Sequence, residues 1–163
     1  MSRTAYSRKR AFSLLELVVV VVIIGIIAAI AIPRMSRGTG GAADSALAGD
    51  LAVLRNAVDL FAAEHDGKFP TLAKVTAQLT LYTDASNTTD AVAARDKDHP
   101  FGPYVRAIPK LPVGANKGKD TFTGTSPPGT DAAGWYYDET TGKIQANCVT
   151  TEVDTASKKF TDY

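Results

Sequence analysis

From Leu17 to Ile32 the chain runs through sixteen apolar residues without a break. Counted back to Phe12 the stretch is 21 residues. As a helix it would span roughly 31 Å at 1.5 Å per residue, close to the ~30 Å hydrocarbon thickness of a bilayer. Val and Ile dominate it, and both are mediocre helix formers in water. In lipid, however, a helix is the one single-segment structure that satisfies its own backbone groups. Arg3, Arg8, Lys9 and Arg10 stand before the run with no acid among them. That bias predicts a single-pass anchor with a cytoplasmic N-terminus and a C-terminal body outside.

Charge limits the partners of that body. The 18 basic and 17 acidic side chains give +1 overall; without the four leading cations the balance is 14 minus 17, or −3. A mildly acidic body with scattered charge lacks the gathered Lys/Arg of a nucleic-acid footprint, so no nucleic-acid partner is expected. Cys148 is the single cysteine, which rules out an intramolecular disulfide. With His65 and His99 as the two histidines, a Cys/His metal site is not expected either.

Glu16 does not suit a plain anchor. Ionisable groups at mid-bilayer cost about 2.5–3.5 kcal/mol even on lenient scales, and intramembrane acids are functional candidates by default. One reading places Glu16 near the cytoplasmic end, snorkelling towards Arg8, Lys9 or Arg10 and favoured by the positive end of the helix dipole. A second reading takes the segment as an ordinary secretory signal cut near Ala29-Ile30-Ala31, although its apolar core exceeds the usual 7–15 residues.

A third reading rests on residues 8–33. Arg8-Lys9-Arg10-Ala11, then Phe12-Ser13-Leu14-Leu15-Glu16, the apolar run and Pro33 resemble the class III signal of type IV prepilins and type II secretion pseudopilins. The resemblance implies cleavage by a membrane-embedded prepilin peptidase between Ala11 and Phe12. It also implies N-methylation of Phe12, a key carboxylate at Glu16, and a helix proline at Pro33. The family normally carries glycine where Ala11 stands, a departure that implies slower processing. Freed at Phe12, an amine would sit four residues from Glu16, where the two can pair within one subunit or between neighbours. Either charge left alone in an apolar bundle is penalised, whereas a matched pair is tolerated and sets axial register. Gly25 and Ala29 form a small-xxx-small spacing that lets helices approach closely.

Past the run, Pro33 and the glycines Gly38, Gly40 and Gly41 predict a kink or unwound hinge. Helix is expected again from about Ala42. Leu47, Leu51, Leu54, Val58 and Phe61 then recur at alternating spacings of four and three, one apolar stripe facing a core. Gly67 and Pro70 close that helix. A short helix is expected over Thr71 to Thr80, a loop over Asp84 to His99, and irregular chain over Gly114 to Gly129. Gly134 to Asp138 and Lys143 to Asn147 read as a hairpin, with Trp135, Tyr137 and Ile144 facing the core. The tail from Thr150 reads as polar and loose. His65, between Glu64 and Asp66, reads as a solvated polar residue rather than a base.

These elements, with the resemblance, give an α+β, pilin-like class: a long N-terminal helix packed on a small antiparallel sheet. The domain division is 1–11, a removable leader; 12–35, a transmembrane and assembly helix; and 36–163, a periplasmic globular domain. Asp66 to Thr71 and Gly102 to Pro112 resemble segments of major pseudopilins. The resemblance therefore implies a structural subunit of a type II secretion pseudopilus, held in the inner membrane and polymerised to drive export. Its implied partners are other copies of the chain, the prepilin peptidase, sibling minor pseudopilins, the inner-membrane assembly platform and membrane lipid. A type IV pilin or a DNA-uptake pseudopilin is the alternative within the family, and a membrane-anchored binding domain or enzyme the alternative outside it. No catalytic grouping and no cofactor are expected. Calcium stays open by resemblance, although Asp131, Asp138, Glu139, Glu152 and Asp154 do not map on to the family's acidic loop.

Overall fold

The computed structural model describes residues 12–86, 91–125 and 129–163, with the backbone alone for 31–39. The expected leader, 1–11, lies outside these residues. Helix α1, Leu14–Glu64, is followed by α2, Val75–Thr80, and by three strands: β1, Phe122–Thr123; β2, Trp135–Asp138; and β3, Lys143–Ala146. A short 3₁₀ turn, Phe160–Asp162, closes the chain. The α+β class expected from the sequence holds.

Helix runs through Pro33 to Gly41, where an unwound hinge was expected. Propensity set against that stretch amounts to about 3 kcal/mol for proline and about 1 for each glycine. A cooperative helix with many residues on either side gains a bond for each further residue, and so overrides a local penalty. The chain still divides into two compact units in this stretch, 1–39 and 40–163.

In the first unit the apolar side chains Leu14, Leu15, Leu17 to Ile24, Ile26, Ile27 and Ile30 are all exposed. The second unit is organised by the expected stripe. Leu47, Leu51, Leu54, Val58 and Phe61 are buried, joined by Val75 and Leu79 of α2 and by Trp135, Tyr137 and Ile144 of the sheet. Each such side chain contributes roughly 1.5–3 kcal/mol by leaving water. The helix ends as its residues demand. Gly67 N–H reaches back to Ala62 O at 2.8 Å with Gly67 at φ +77°, a left-handed closure, and Pro70 prevents continuation.

The hairpin pairs Trp135 with Ala146 and Tyr137 with Ile144, so all four share the buried face. Gly142, at φ +70°, turns the chain, and its N–H bonds Asp138 O at 2.9 Å. The sheet is mixed rather than wholly antiparallel: β1 pairs in parallel with β2, Phe122 opposite Trp135. That two-residue strand falls inside the stretch expected to be irregular, because its neighbours' turn composition outweighs so short a β-former run.

The tail is held, contrary to expectation. Val153 pairs with Lys159, and Phe160 is buried. Thr155 donates from both its N–H and its hydroxyl to the Asp44 carboxylate, at 3.0 and 2.8 Å. Arg55 donates to Ile144 O at 3.2 Å and to Tyr163 O. A polar composition concealed one apolar anchor and a set of charged tethers on α1.

Candidate functional site

Phe12 precedes α1 and is 76% exposed, and Glu16 lies in its first turn. The helix is already engaged there, with Leu17 N–H bonded to Ser13 O at 3.2 Å. Glu16 is the one ionisable residue between Phe12 and Ile32. Among the described residues no hydrogen bond or ion pair reaches its carboxylate. At an α-helix N-terminus the unbonded N–H groups and the aligned peptide dipoles favour an anion. The same end would repel an amine freed at Phe12, so the carboxylate is what could hold such an amine in place.

Gly25 opens the helix surface further along: a Cβ there would meet no atom within 4 Å. Ala11 lies outside the described residues, and so does the side chain of Pro33. Among the described residues no helix is long and apolar enough to cross a membrane; described side chains of the apolar part of α1 end at Ile30.

His65 is fully buried, which corrects its reading as a solvated residue. Its Nδ1 lies 2.8 Å from Phe61 O and its Nε2 3.1 Å from the Thr83 hydroxyl. The ring stacks on Phe61 at 3.8 Å. Spacing carried the signal: 61 to 65 continues the four-three stripe, which a reading by residue type alone passed over.

The acids considered for calcium are each committed locally. Asp131 accepts from Asn147 Nδ2 at 2.8 Å and from the Thr123 hydroxyl. Those bonds, the Thr123 one foremost, hold its carboxyl below the usual carboxylate range. Asp138 accepts from the hydroxyls of Thr140 and Thr141, Glu139 from Leu72 N–H, Glu152 from the N–H groups of Ala115 and Val149, and Asp154 from Lys158 N–H. Among the described residues no three His, Cys, Asp or Glu side chains converge to hold a metal ion.

Among the described residues, two candidate nucleophiles are each otherwise engaged or protonated. Ser86 and His99 line one concavity, but the Ser86 hydroxyl donates to Asp84 and His99 Nδ1 bonds Asp96 at 2.8 Å. Cys148 is buried, and burial, with Glu152 beside it, pushes its thiol up to about 12. A thiol so protonated is not a nucleophile at neutral pH.

Sequence reasoning missed the buried Asn147. Its Nδ2 donates to Ala133 O and to Asp131, while Asn116 Nδ2 donates to Asn147 O at 2.8 Å. This polar staple ties the end of β3 to the loop before β2, and no motif announced it.

No curated protein and no solved structure matches the chain. Residues 6–32 match the family model described as the prokaryotic N-terminal methylation motif.

Proposed function

We propose that this protein is a non-enzymatic structural subunit of a type II secretion pseudopilus. Residues 1–11 are a leader removed at Ala11–Phe12, 12–35 form the membrane and assembly helix, and 36–163 form a periplasmic domain. The subunit waits in the inner membrane and is then stacked with other copies, beside sibling minor pseudopilins, by an inner-membrane platform. In the stack the Glu16 carboxylate meets the methylated Phe12 amine of a neighbour, while apolar helices pack around the pair. Hydrophobic packing alone is non-directional and selects no axial offset; the charge pair selects one.

The single observation behind this reading is the methylation signal over 6–32, which takes in the start of a helix whose apolar side chains are exposed from Leu14 to Ile30. A disulfide-closed pilin body is disfavoured by the lone Cys148. Mass spectrometry of the chain recovered from its native membrane tests the proposal. The expected mature N-terminus is N-methylated Phe12. A terminus at Met1, or one created near Ile32, would overturn it.

A further inference from the structure

We propose that residues 153–159 are a preformed clasp that closes on α1 at Gly40 and Asp44 and keeps the first turns of the body helical. Those turns are the part of α1 in the body that least supports itself. Gly40 and Gly41 open the body, and glycine is the poorest helix former after proline. No side chain from Ala42 to Ala46 is fully buried, and the buried stripe starts at Leu47. Ala43 packs against the core only in part.

The clasp holds its own shape. Asp154 Oδ1 accepts the N–H groups of Ala156 and Lys158 at 2.7 and 2.8 Å, and Asp154 N–H bonds Lys158 O at 2.8 Å. Val153 and Lys159 pair across the base of the loop. The Tyr163 hydroxyl donates to Asp154, and the Lys158 ammonium lies 4.1 Å from the centre of the Tyr163 ring. All these partners belong to the tail, so none of the bonds requires α1. The base is fixed separately, by the buried Phe160 and by Arg55, which donates to Tyr163 O.

Thr155, at the tip, is what meets the helix. Its N–H and its hydroxyl converge on one oxygen of the Asp44 carboxylate, Oδ2, at 3.0 and 2.8 Å. Hydrogen bonds to an ionised acceptor are the stronger kind. The Thr155 methyl rests on Gly40, where a Cβ would stand only 2.9 Å from it. The residue that weakens the helix is thus the one that lets the tail come close enough to hold it. This contact lies at the surface, so it opens by local fluctuation while the base of the tail stays in place. Closed, the rigid body begins at Gly40; open, it begins at Leu47.

Amide hydrogen exchange of the full chain in detergent micelles tests the clasp, with Asp44→Ala set against the wild type. The substitution removes the acceptor of both Thr155 donors. Alanine is also a better helix former than aspartate, so intrinsic propensity pushes the other way. Protection of the Thr155 amide and of amides 42–46 is expected to fall about tenfold relative to the β2–β3 amides. Asp44→Asn, which keeps an oxygen acceptor, should retain most of it. Should Asp44→Ala fail to fold, Thr155→Val removes one of the two donors and is expected to lower the same amides by a smaller factor. Loss at Thr155 with amides 42–46 as protected as before would overturn the inference, for the tail would then lie on the helix without supporting it. An equal loss across β2 and β3 would overturn it too.

Discussion

The two halves of α1 are one element by hydrogen bonding and opposites by surface. From Leu14 to Ile30 the apolar side chains are exposed, with no polar face to set against them. In the second half Leu47, Leu51, Leu54, Val58 and Phe61 form a single buried stripe, while Val53 and Leu60 stand with Asn56 and Asp59 on the exposed faces. Backbone geometry is therefore silent about environment. The period of the side chains decides it: four-three alternation selects one wall to lean on, and an unbroken run selects surroundings that are apolar all round. Under the proposed function the first half finds its partners in lipid and in other copies of the chain.

The largest expected effect lies in that first half. Glu16→Val removes the one ionisable side chain of the run and makes the segment uniformly apolar. Under the proposed function, membrane insertion is unchanged while incorporation into fibres is lost altogether, because nothing then offsets a neighbour's amine. Fractionation of membranes and sheared fibres measures the two separately. Normal fibre yield from this variant would show the carboxylate to be dispensable.

The second half predicts a contrast between neighbouring faces of one helix. Leu54 is fully buried, and Leu54→Ala is expected to destabilise the body by about 2–5 kcal/mol. Leu60, six residues on, is 51% exposed, and Leu60→Ala should stay within about 0.5 kcal/mol. Fluorescence of Trp135, the single tryptophan and fully buried, follows unfolding in both. Equal losses would mean that the exposed face of this half already leans on something.

Much of this contrast was legible beforehand. The apolar run, the stripe from Leu47 to Phe61, the closure at Gly67 and the hairpin with Trp135 and Tyr137 inward all follow from local period and turn chemistry. What escaped depends on partners distant in sequence. Phe160 is one apolar residue in a polar tail, and its tethers lie on Asp44 and Arg55, over a hundred residues away. β1 exists because β2 offers it an edge, not because two residues form a strand unaided. His65 was misjudged by its charged neighbours, whereas its place in the stripe decided its burial. Phe12 and Glu16 stand out through a motif, and the structure adds only that Phe12 lies just ahead of α1 and Glu16 in its first turn.

The smallest effect sharpens the comparison between carboxylates with and without donors at home. Glu16 has none among the described residues, whereas Asp138 is surrounded. The Thr140 and Thr141 hydroxyls and Thr140 N–H hold the Asp138 carboxyl down at about 2, against an ordinary carboxylate near 3.9. Because the folded value is the lower one, this group favours folding fully above about pH 4, and its contribution fades as pH falls from about 4 towards 2. Asp131 and Asp154 are lowered in the same direction, so the wild-type decline is shared among them. Asp138→Asn keeps an acceptor for Thr140 but has no proton to bind. Its Trp135-monitored stability should therefore start slightly lower at neutral pH and fall less steeply through that acid window. Asp138 is only half-buried and its carboxylate bonds lie at the surface, which keeps the difference small. A variant that tracks the wild type in parallel across the window would show that the hairpin turn holds its shape without the charge. The charge at Asp138 would then be no better placed than the one at Glu16.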